Sequence, residues 1–375
     1  MTTAARETIE RRWWSRQKRD ASLASMVTAK TASAEPFHRW LHLRQAFSPA
    51  LVRRFLQEAR LQDQSFGQYP VLDPFSGSGT TAIECGRNNQ SALGVEASAS
   101  MAFVTSTLCA TRKFAAFPKF GALDSWQSLA ASLSNPLHQT ALMLAVARQY
   151  TSDGRLHKGA PPLSVLLPQM LANMEEDLRR PIPICNSIRR GDARDLSWLE
   201  ADSIGGILTS PPYLSRYDYA RIVRPMDEVY HSWYADSDSQ AGPSLQLRAH
   251  SKAVVEGFIT DGLPNTVTES MAALRREGED RLATVTAAYF HDLFTVIREC
   301  ARVLSRGAPF WLVMGGARVK GVYIPADLIA AEFAQTLGFE VDALLVARDL
   351  IDTGRKLGTL RSVSPRESVL TLRRV

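Results

Sequence analysis

The sequence predicts an α/β fold built on a mostly parallel, Rossmann-like sheet. In the stretch from Val71 to Glu96, a short β-forming run leads into a glycine-rich turn, a helical run and a second β-forming run that ends on an acid. A further β-forming run, residues 207–209, leads directly into a Ser-Pro-Pro-Tyr sequence. From Phe310 onward, strand and helix patterns alternate again. Such alternation is typical of parallel sheets, which bind ligands beyond the carboxyl ends of their strands.

The composition is that of a soluble globular protein. The chain has 375 residues, with 45% hydrophobic and 22% charged side chains, which allows one large or two ordinary domains. No apolar run approaches the ~20 residues that cross a bilayer, and the amino end lacks an apolar signal core, so we expect a cytoplasmic protein. The four cysteines are scattered and indicate buried thiols, with neither a disulfide framework nor a zinc site. The net charge of +6 suits a polyanionic partner, although mildly basic proteins are common.

Residues 1–35 are predicted to form a basic amino-terminal arm. The segment from Ile9 to Arg19 is a basic helix candidate that carries Trp13 and Trp14. Two interpretations stay open: an arm that contacts the DNA backbone, or an amphipathic helix whose tryptophans dock on the body of the protein. The docked helix is the favoured one.

Residues 36–110 are predicted to form the first part of the domain that carries the glycine-rich turn. Ser48 is a candidate N-cap, and Pro49 suits the first turn of a helix that ends near Leu61. Phe47 is explained as a hydrophobic staple for this helix or as part of a ligand site.

The sequence Asp73-Pro-Phe-Ser-Gly-Ser-Gly-Thr-Thr81 predicts a cofactor-binding loop. Gly77 and Gly79 allow a sharp turn and a close approach of the backbone to a ligand. The two threonines that follow can cap a helix that ends at Arg87. Glu96 ends the next strand, where such folds place an acceptor for ribose hydroxyls. A Walker loop is excluded because no Gly-Lys-Ser/Thr follows the glycines.

At two stretches the chain resembles the S-adenosylmethionine-dependent amino-methyltransferases of DNA, which methylate an exocyclic nitrogen of cytosine or adenine. The loop at residues 73–81 is similar to the cofactor motif of this family, and Ser210-Pro-Pro-Tyr213 is similar to its catalytic motif. The resemblance implies a class I methyltransferase sheet, mostly parallel with an antiparallel edge hairpin. Two mainly helical insertions fall outside the part of the chain that the resemblance covers.

The resemblance also implies S-adenosylmethionine as the cofactor. The segment before the loop closes over the methionine end of the cofactor in this family, and an acid after a later strand contacts the adenine. For the latter role Asp192 is preferred to Asp195, and an Asx turn is the competing explanation. The implied cofactor-binding residues are Phe47, Ser48, Asp73, Pro74, Phe75, Gly77, Gly79, Thr80, Glu96, Asp192 and Ala193.

Four residues, Ser210, Pro211, Pro212 and Tyr213, are the implied catalytic group. An exocyclic amino nitrogen is a poor nucleophile because its lone pair is delocalised into the ring. The Ser210 hydroxyl and the Pro211 carbonyl can accept both amino hydrogens, and the consecutive prolines fix this geometry without a metal. Tyr213 offers a flat face for an extruded base. A rigid turn or polyproline ligand is the competing explanation.

In the family that the chain resembles, serine at the first motif position is more often the cytosine-N4 pattern than the adenine-N6 pattern, so the resemblance implies N4 of cytosine, and adenine stays open as the target base. Methylation of RNA also stays open, as does a catalytically silent nucleic-acid-binding protein on the same fold. The family further implies a DNA substrate and a restriction or phage-defence partner.

The rest of the chain supplies the insertions and the end of the catalytic domain. Residues 111–186 are a helical insertion and a candidate for target recognition, and residues 187–225 return to the catalytic domain. The candidate nucleic-acid contacts Arg216, Tyr217 and Arg221 also suit an ordinary helix start.

Residues 226–283 form an acidic second insertion, in which Gly242, Pro243 and Gly257 are among the predicted breaks. It suits a cap, a hinge or a dimer surface. Residues 284–375 complete the catalytic domain with a helix, a strand, a helix that Gly338 ends, and two short strands.

Overall fold

The computed structural model describes residues 4–41, 43–110, 113–117, 125–151, 154–234, 246–250, 255, 262–351, 356 and 359–375. Its helices are α1 Ala4–Trp13, α2 Leu23–Met26, α3 Pro49–Gln62, α4 Thr80–Arg87, α5 Ala99–Ala110, α6 Trp126–Ala130, α7 Pro136–Ala147, α8 Leu163–Leu178, α9 Tyr219–Tyr230, α10 Asn265–Arg276, α11 Asp280–Val303 and α12 Ala326–Thr336. Its strands are β1 Gln17–Arg19, β2 Val71–Asp73, β3 Ala92–Glu96, β4 Ser187–Arg190, β5 Gly206–Thr209, β6 Pro309–Gly315, β7 Ala317–Val319, β8 Val322–Ile324, β9 Phe339–Asp349 and β10 Arg366–Arg374. The predicted breaks at Gly242, Pro243 and Gly257 lie outside the described residues.

The chain divides into two compact units, and the first comprises residues 1–27, 193–217 and 247–375. Its sheet has the strand order β1-β9-β10-β6-β5. β5 runs parallel to β6, β10 runs antiparallel to both β6 and β9, and β1 runs parallel to β9. The antiparallel pair is therefore present as predicted, but it does not form the edge, because β1 covers β9. A separate β7–β8 hairpin, which the sequence did not indicate, follows β6.

The second unit comprises residues 28–192 and 218–246. β2, β3 and β4 pair in parallel, in that order. The helices α7 and α8, which belong to the predicted insertion, bury apolar side chains such as Leu142, Leu167 and Met170 in one core with α5 and α9. Within the described part of that segment, α6, α7 and α8 are the α-helices.

The strand pairings confirm the predicted fold class. In the sheets of the two units, the described pairings of β1 with β9, β2 with β3, β3 with β4 and β5 with β6 are parallel. Only the pairings of β10 with β6 and β9 are antiparallel among the described strands of those sheets. The fold is thus α/β with a mixed, mostly parallel, Rossmann-like arrangement.

Buried ion pairs hold helix α1 on the first unit. Glu10 accepts a hydrogen bond from the Tyr323 hydroxyl at 2.6 Å and one from Arg366 at 3.0 Å. Trp13 is buried with 1% exposure, whereas Trp14 is 75% exposed. Trp13 therefore docks on the body of the protein, as the favoured interpretation expected, whereas Trp14 does not. The helix predicted from Ile9 to Arg19 is wrong beyond Trp13, because Gln17–Arg19 pairs with β9 as strand β1.

Cys85, Cys109 and Cys300 are buried, but Cys185 is exposed, so the expectation of four buried thiols is wrong at that position. Within the described part of the chain, no helix is both long and apolar enough to cross a membrane.

Candidate functional site

The loop after β2 is shaped by Asp73, which is buried at the end of the strand. Its Oδ1 accepts the backbone N–H of Phe75 at 3.1 Å, and its Oδ2 accepts the Thr81 hydroxyl at 2.7 Å. Gly79 has a left-handed φ of +76° and is itself the N-cap of α4. The predicted cap by Thr80 or Thr81 is therefore wrong. Only glycine adopts this conformation without strain, and the Thr81 hydroxyl bonds to Asp73 instead.

Glu96 faces the same loop from the end of β3. Its carboxylate accepts the backbone N–H of Gly77 at 2.9 Å and that of Ser98 at 2.8 Å. Burial raises the pKa of Glu96 to about 7, although the two backbone donors oppose this rise by favouring the charged form. The end of β3 thus presents an acid whose charge changes near neutral pH.

Ser76, inside the loop, carries an unsatisfied hydroxyl. Its backbone N–H donates to the Val95 carbonyl at 2.8 Å. Its Oγ is buried and has no hydrogen-bond partner among the described residues. A Cβ at Gly94 would lie 2.6 Å from that oxygen, so a glycine is needed there for the loop to approach β3. A buried unsatisfied hydroxyl beside a glycine-rich loop is a place where a ligand atom can complete the hydrogen bonding.

The segment before α3 lies against this loop. Ser48 is the N-cap of α3, as predicted, because its hydroxyl accepts the Ala50 N–H at 3.2 Å. Phe47 is also buried. A narrow gap separates the segment from the loop, and it is lined by Ala29, Ala32, His38, Leu41, Leu43, Ala46, Ser78 and Thr80. The structure therefore brings the segment and the loop together within the second unit.

Helix α8 holds the beginning of that segment through Asp177, which is buried. The Asp177 carboxylate accepts the backbone N–H of Phe37 and the indole N–H of Trp40, both at 2.7 Å. It also binds the Arg39 guanidinium, which in addition reaches the more exposed Glu176 at 2.7 Å. No sequence pattern indicated this support, because the partners lie far apart along the chain.

Asp192 follows β4 in the second unit and is partly buried. The N–H of Gly191, just before it, donates to the Glu96 carbonyl at 3.1 Å, which brings the ends of β3 and β4 together. Asp195, the less favoured candidate, accepts the N–H of Ser197 at 3.0 Å and so forms an Asx turn of its own. Ala193 is buried and belongs to the first unit, whereas Asp192 belongs to the second.

The Ser-Pro-Pro-Tyr sequence follows the carboxyl end of β5 in the first unit. Ser210 and Pro212 are partly exposed, whereas Pro211 and Tyr213 are buried. The Tyr213 hydroxyl donates to Glu367 Oε1 at 2.9 Å. The orientation of the tyrosine is therefore fixed by a side chain of β10.

Two further residues support Tyr213 and were missed by the sequence analysis. The other carboxylate oxygen of Glu367 accepts a hydrogen bond from Arg348 of β9. Gly315, at the end of β6, lies against the tyrosine ring. The signal that could have found Glu367 is an acid just before the apolar run of β10 that begins at Val369, since a charge beside a buried strand is rarely left without a partner.

The predicted nucleic-acid contacts fall in both units. Arg216 is exposed, and its guanidinium lies 5.6 Å from the ring centre of Tyr217. Both line a cavity of about 770 Å³ in the first unit. Arg221 lies in α9 of the second unit, where its N–H donates to the N-cap Asp218 at 3.3 Å. This contact is that of an ordinary helix start, which was the competing interpretation of Arg221.

No group of three or more histidine, cysteine or acidic side chains is placed to hold a metal ion within the described part of the chain.

No family model matches this sequence. The Type II methyltransferase M.AvaI from Nostoc sp. is 30% identical over 162 residues, which cover 39% of this chain and 33% of that protein. The matched stretch therefore spans about a third of the length of that curated relative. The Type II methyltransferase M.BsoBI from Geobacillus stearothermophilus is 20% identical over 448 positions, which cover 92% of this chain and 87% of that protein.

Solved structures show only a distant likeness. TrmN from Thermus thermophilus matches with a TM-score of 0.33 and 13% identity, over 88% of this chain and 49% of that chain. The rRNA methyltransferase AviRa from Streptomyces viridochromogenes matches with a TM-score of 0.34 and 14% identity, over 88% of this chain and 85% of that chain.

Proposed function

We propose that this protein is an S-adenosylmethionine-dependent DNA methyltransferase that modifies the exocyclic amino group of an extruded base. The observation that carries the proposal is the Ser210-Pro-Pro-Tyr213 sequence at the carboxyl end of β5, with Tyr213 held in place by Glu367. The two curated relatives support it, because both are named as Type II methyltransferases.

The loop after β2 and the end of β3 fit the cofactor. The Glu96 carboxylate is an acceptor for ribose hydroxyls, and the Ser76 hydroxyl is available to a ligand atom. Gly77 and Gly79 let the backbone approach, while Asp73 sets the shape of the loop. When bound, S-adenosylmethionine supplies a methyl group that its sulfonium activates towards nucleophiles. The other residues proposed to contact it are Phe47, Ser48, Pro74, Phe75, Thr80, Asp192 and Ala193.

The Ser-Pro-Pro-Tyr residues are proposed to make the amino nitrogen reactive. The hydroxyl oxygen of Ser210 and the carbonyl oxygen of Pro211 accept its two hydrogens, which localises the lone pair on the nitrogen. Tyr213 stacks on the extruded base, and its bond to Glu367 keeps the ring from turning. Methyl transfer leaves an extra proton on the nitrogen, which solvent accepts. Alignment of this kind accounts for about 7–11 kcal/mol of barrier reduction at most.

The proposed base is cytosine and the proposed atom is N4, because the motif begins with serine. A restriction or phage-defence partner belongs to the same proposal. Nucleoside mass spectrometry of DNA from cells that express the protein tests the base, with the Ser210→Ala chain as the matched control. N6-methyladenine in place of N4-methylcytosine would change the base and keep the enzyme class.

Two in vitro measurements separate DNA methylation from RNA methylation and from nucleic-acid binding without catalysis. Labelled methyl transfer to RNA and not to DNA would assign the protein to RNA modification. Calorimetry that detects no binding of S-adenosylmethionine, together with binding of DNA, would leave a catalytically silent nucleic-acid-binding protein.

A further inference from the structure

A polar cavity of about 770 Å³ opens beside Tyr213 within the first unit. We call it the hairpin cavity, because residues of the β7–β8 hairpin form one of its walls. Its lining residues are Tyr213, Leu214, Ser215, Arg216, Tyr217, Glu277, Glu279, Gly316, Ala317, Arg318, Lys320, Gly321, Leu350, Ile351 and Pro365. Its size is within the range of small-ligand sites. It lies next to the proposed catalytic tyrosine, and its lining residues are not those of the cofactor loop.

Two cations on this cavity are oriented before any ligand binds. The Arg216 guanidinium lies over the Tyr217 ring, and its Nε donates to the Tyr217 hydroxyl at 3.4 Å. The Lys320 ammonium pairs with Glu279 at 3.1 Å while 60% of the side chain stays exposed. An ammonium has three N–H donors, so this ion pair is compatible with a second acceptor.

Arg318 fixes the hairpin that carries Lys320. Its guanidinium donates to the Gly321 carbonyl at 3.2 Å and to the Val363 carbonyl, and it lies over the ring of Tyr323. Lys320 itself occupies the left-handed turn of the hairpin, with a φ of +48°. Arg318 therefore binds both the turn of the hairpin and the backbone at Val363, and Lys320 lies in that turn.

The charges of the lining indicate where an anion fits. The charged lining residues are three cations, Arg216, Arg318 and Lys320, and two acids, Glu277 and Glu279, of which Glu279 pairs with Lys320. Phosphate oxygens are the natural acceptors for an arginine and a lysine that line one cavity.

We infer that the hairpin cavity binds a nucleotide next to the target base, with its phosphate held by Arg216 and Lys320. The inference rests on the proposed DNA methyltransferase function and adds to it a DNA-contacting element, the β7–β8 hairpin. It places this contact outside the helical insertion at residues 111–186.

The test is the salt dependence of DNA binding by the full chain, measured by fluorescence anisotropy with a labelled mixed-sequence duplex. Arg216→Ala and Lys320→Ala should each weaken binding about fivefold, similarly across sequences. Each should also reduce the slope of log affinity against log salt by about 0.9, the value for one phosphate contact. Lys320→Arg should restore the wild-type slope. Lysine, alanine and arginine all carry a Cβ, so the left-handed backbone at residue 320 affects the wild-type chain and both Lys320 variants alike.

Arg306→Ala is the matched control. Arg306 is an exposed arginine in the turn before β6, at the opposite end of that strand from the one where β7 follows. Wild-type methyl transfer to the same duplex is measured in parallel.

If wild-type chain methylates DNA but the Arg216 and Lys320 variants have the same affinity and slope as Arg306→Ala, the hairpin-cavity inference is overturned and the proposed function stands. If the slopes fall as expected but no methyl group is transferred to DNA, the proposed function fails and the nucleotide site stands.

Discussion

Replacing Gly315 by alanine should displace the ring of the proposed catalytic tyrosine, Tyr213, while the tyrosine itself is left unchanged. A Cβ at Gly315 would lie 2.9 Å from two ring carbons of Tyr213 and 3.1 Å from Cδ1 of Leu350. Favourable carbon–carbon contacts lie at about 3.5–4.0 Å, so the ring must move by roughly 0.6–1 Å. The ring is not free to do so, because Glu367 holds its hydroxyl and Arg348 holds Glu367.

Two magnitudes follow from this clash. Overpacking of a buried site costs about 1–3 kcal/mol of unfolding free energy, which bounds the loss of stability. A misplacement of about 1 Å at a reacting group can cost on the order of 100-fold in rate. We therefore expect kcat to fall between tenfold and 100-fold, to order of magnitude, while the affinity for S-adenosylmethionine is unchanged.

The assay is steady-state transfer of labelled methyl to DNA, with urea unfolding and calorimetry on the same preparations. Gly316→Ala is the matched control, because its Cβ would meet no atom closer than 3.6 Å. In a Tyr213→Phe background, Gly315→Ala should lower kcat by a smaller factor than it does in the wild-type chain. The reason is that the ring without its hydroxyl can tilt away from the added Cβ. A folded Gly315→Ala chain with wild-type kcat would refute the role given to the tyrosine orientation.

Three further predictions concern the other supports of the proposed site. Ser210→Ala should lower kcat by about 100-fold with unchanged cofactor affinity, measured by calorimetry, because one acceptor of the amino hydrogens is lost; full activity would contradict the mechanism. Burial raises the pKa of Glu96 to about 7, and a ribose hydroxyl donates best to the ionised carboxylate. Cofactor affinity should therefore rise about tenfold from about pH 6 to about pH 8. Glu96→Gln should abolish this pH dependence. Asp177→Asn should lower the free energy of unfolding in urea by about 3 kcal/mol. The substitution replaces a buried carboxylate that accepts several hydrogen bonds by a neutral amide, which is a weaker acceptor. Glu176→Gln, at a side chain that is 66% exposed and contacts the same arginine, should cost about 0.5 kcal/mol or less.

Local chemistry made the cofactor loop and its neighbouring elements predictable. The N-cap at Ser48 and the end of α4 at Arg87 depend on signals within a few residues, and both are found as predicted. The wrong cap at Thr80 has a local cause as well. Threonine is a common N-cap, but the left-handed turn at Gly79 takes that position, and no sequence rule distinguishes these two outcomes when glycine and threonine are adjacent.

The missed elements depend on distant partners. β1 consists of Gln17, Lys18 and Arg19, a polar run with no β pattern, and it is a strand because residues 344–346 of β9 lie alongside it. The β7–β8 hairpin has strands of three residues each, too short for an alternating pattern to be visible. Tertiary context thus decides both elements, and one of them forms a wall of the hairpin cavity.

The supports of the proposed site show the same dependence on long-range contacts. Tyr213 was predicted from its motif, but the acid that orients it lies 154 residues later, and Glu367 in turn depends on Arg348. A motif of this kind specifies which atoms react, whereas a buried acid elsewhere in the sheet specifies how accurately they are held. Charged residues that adjoin the apolar run of a strand are therefore positions at which a sequence can reveal the supports of a site, because a buried charge is retained only where it has partners.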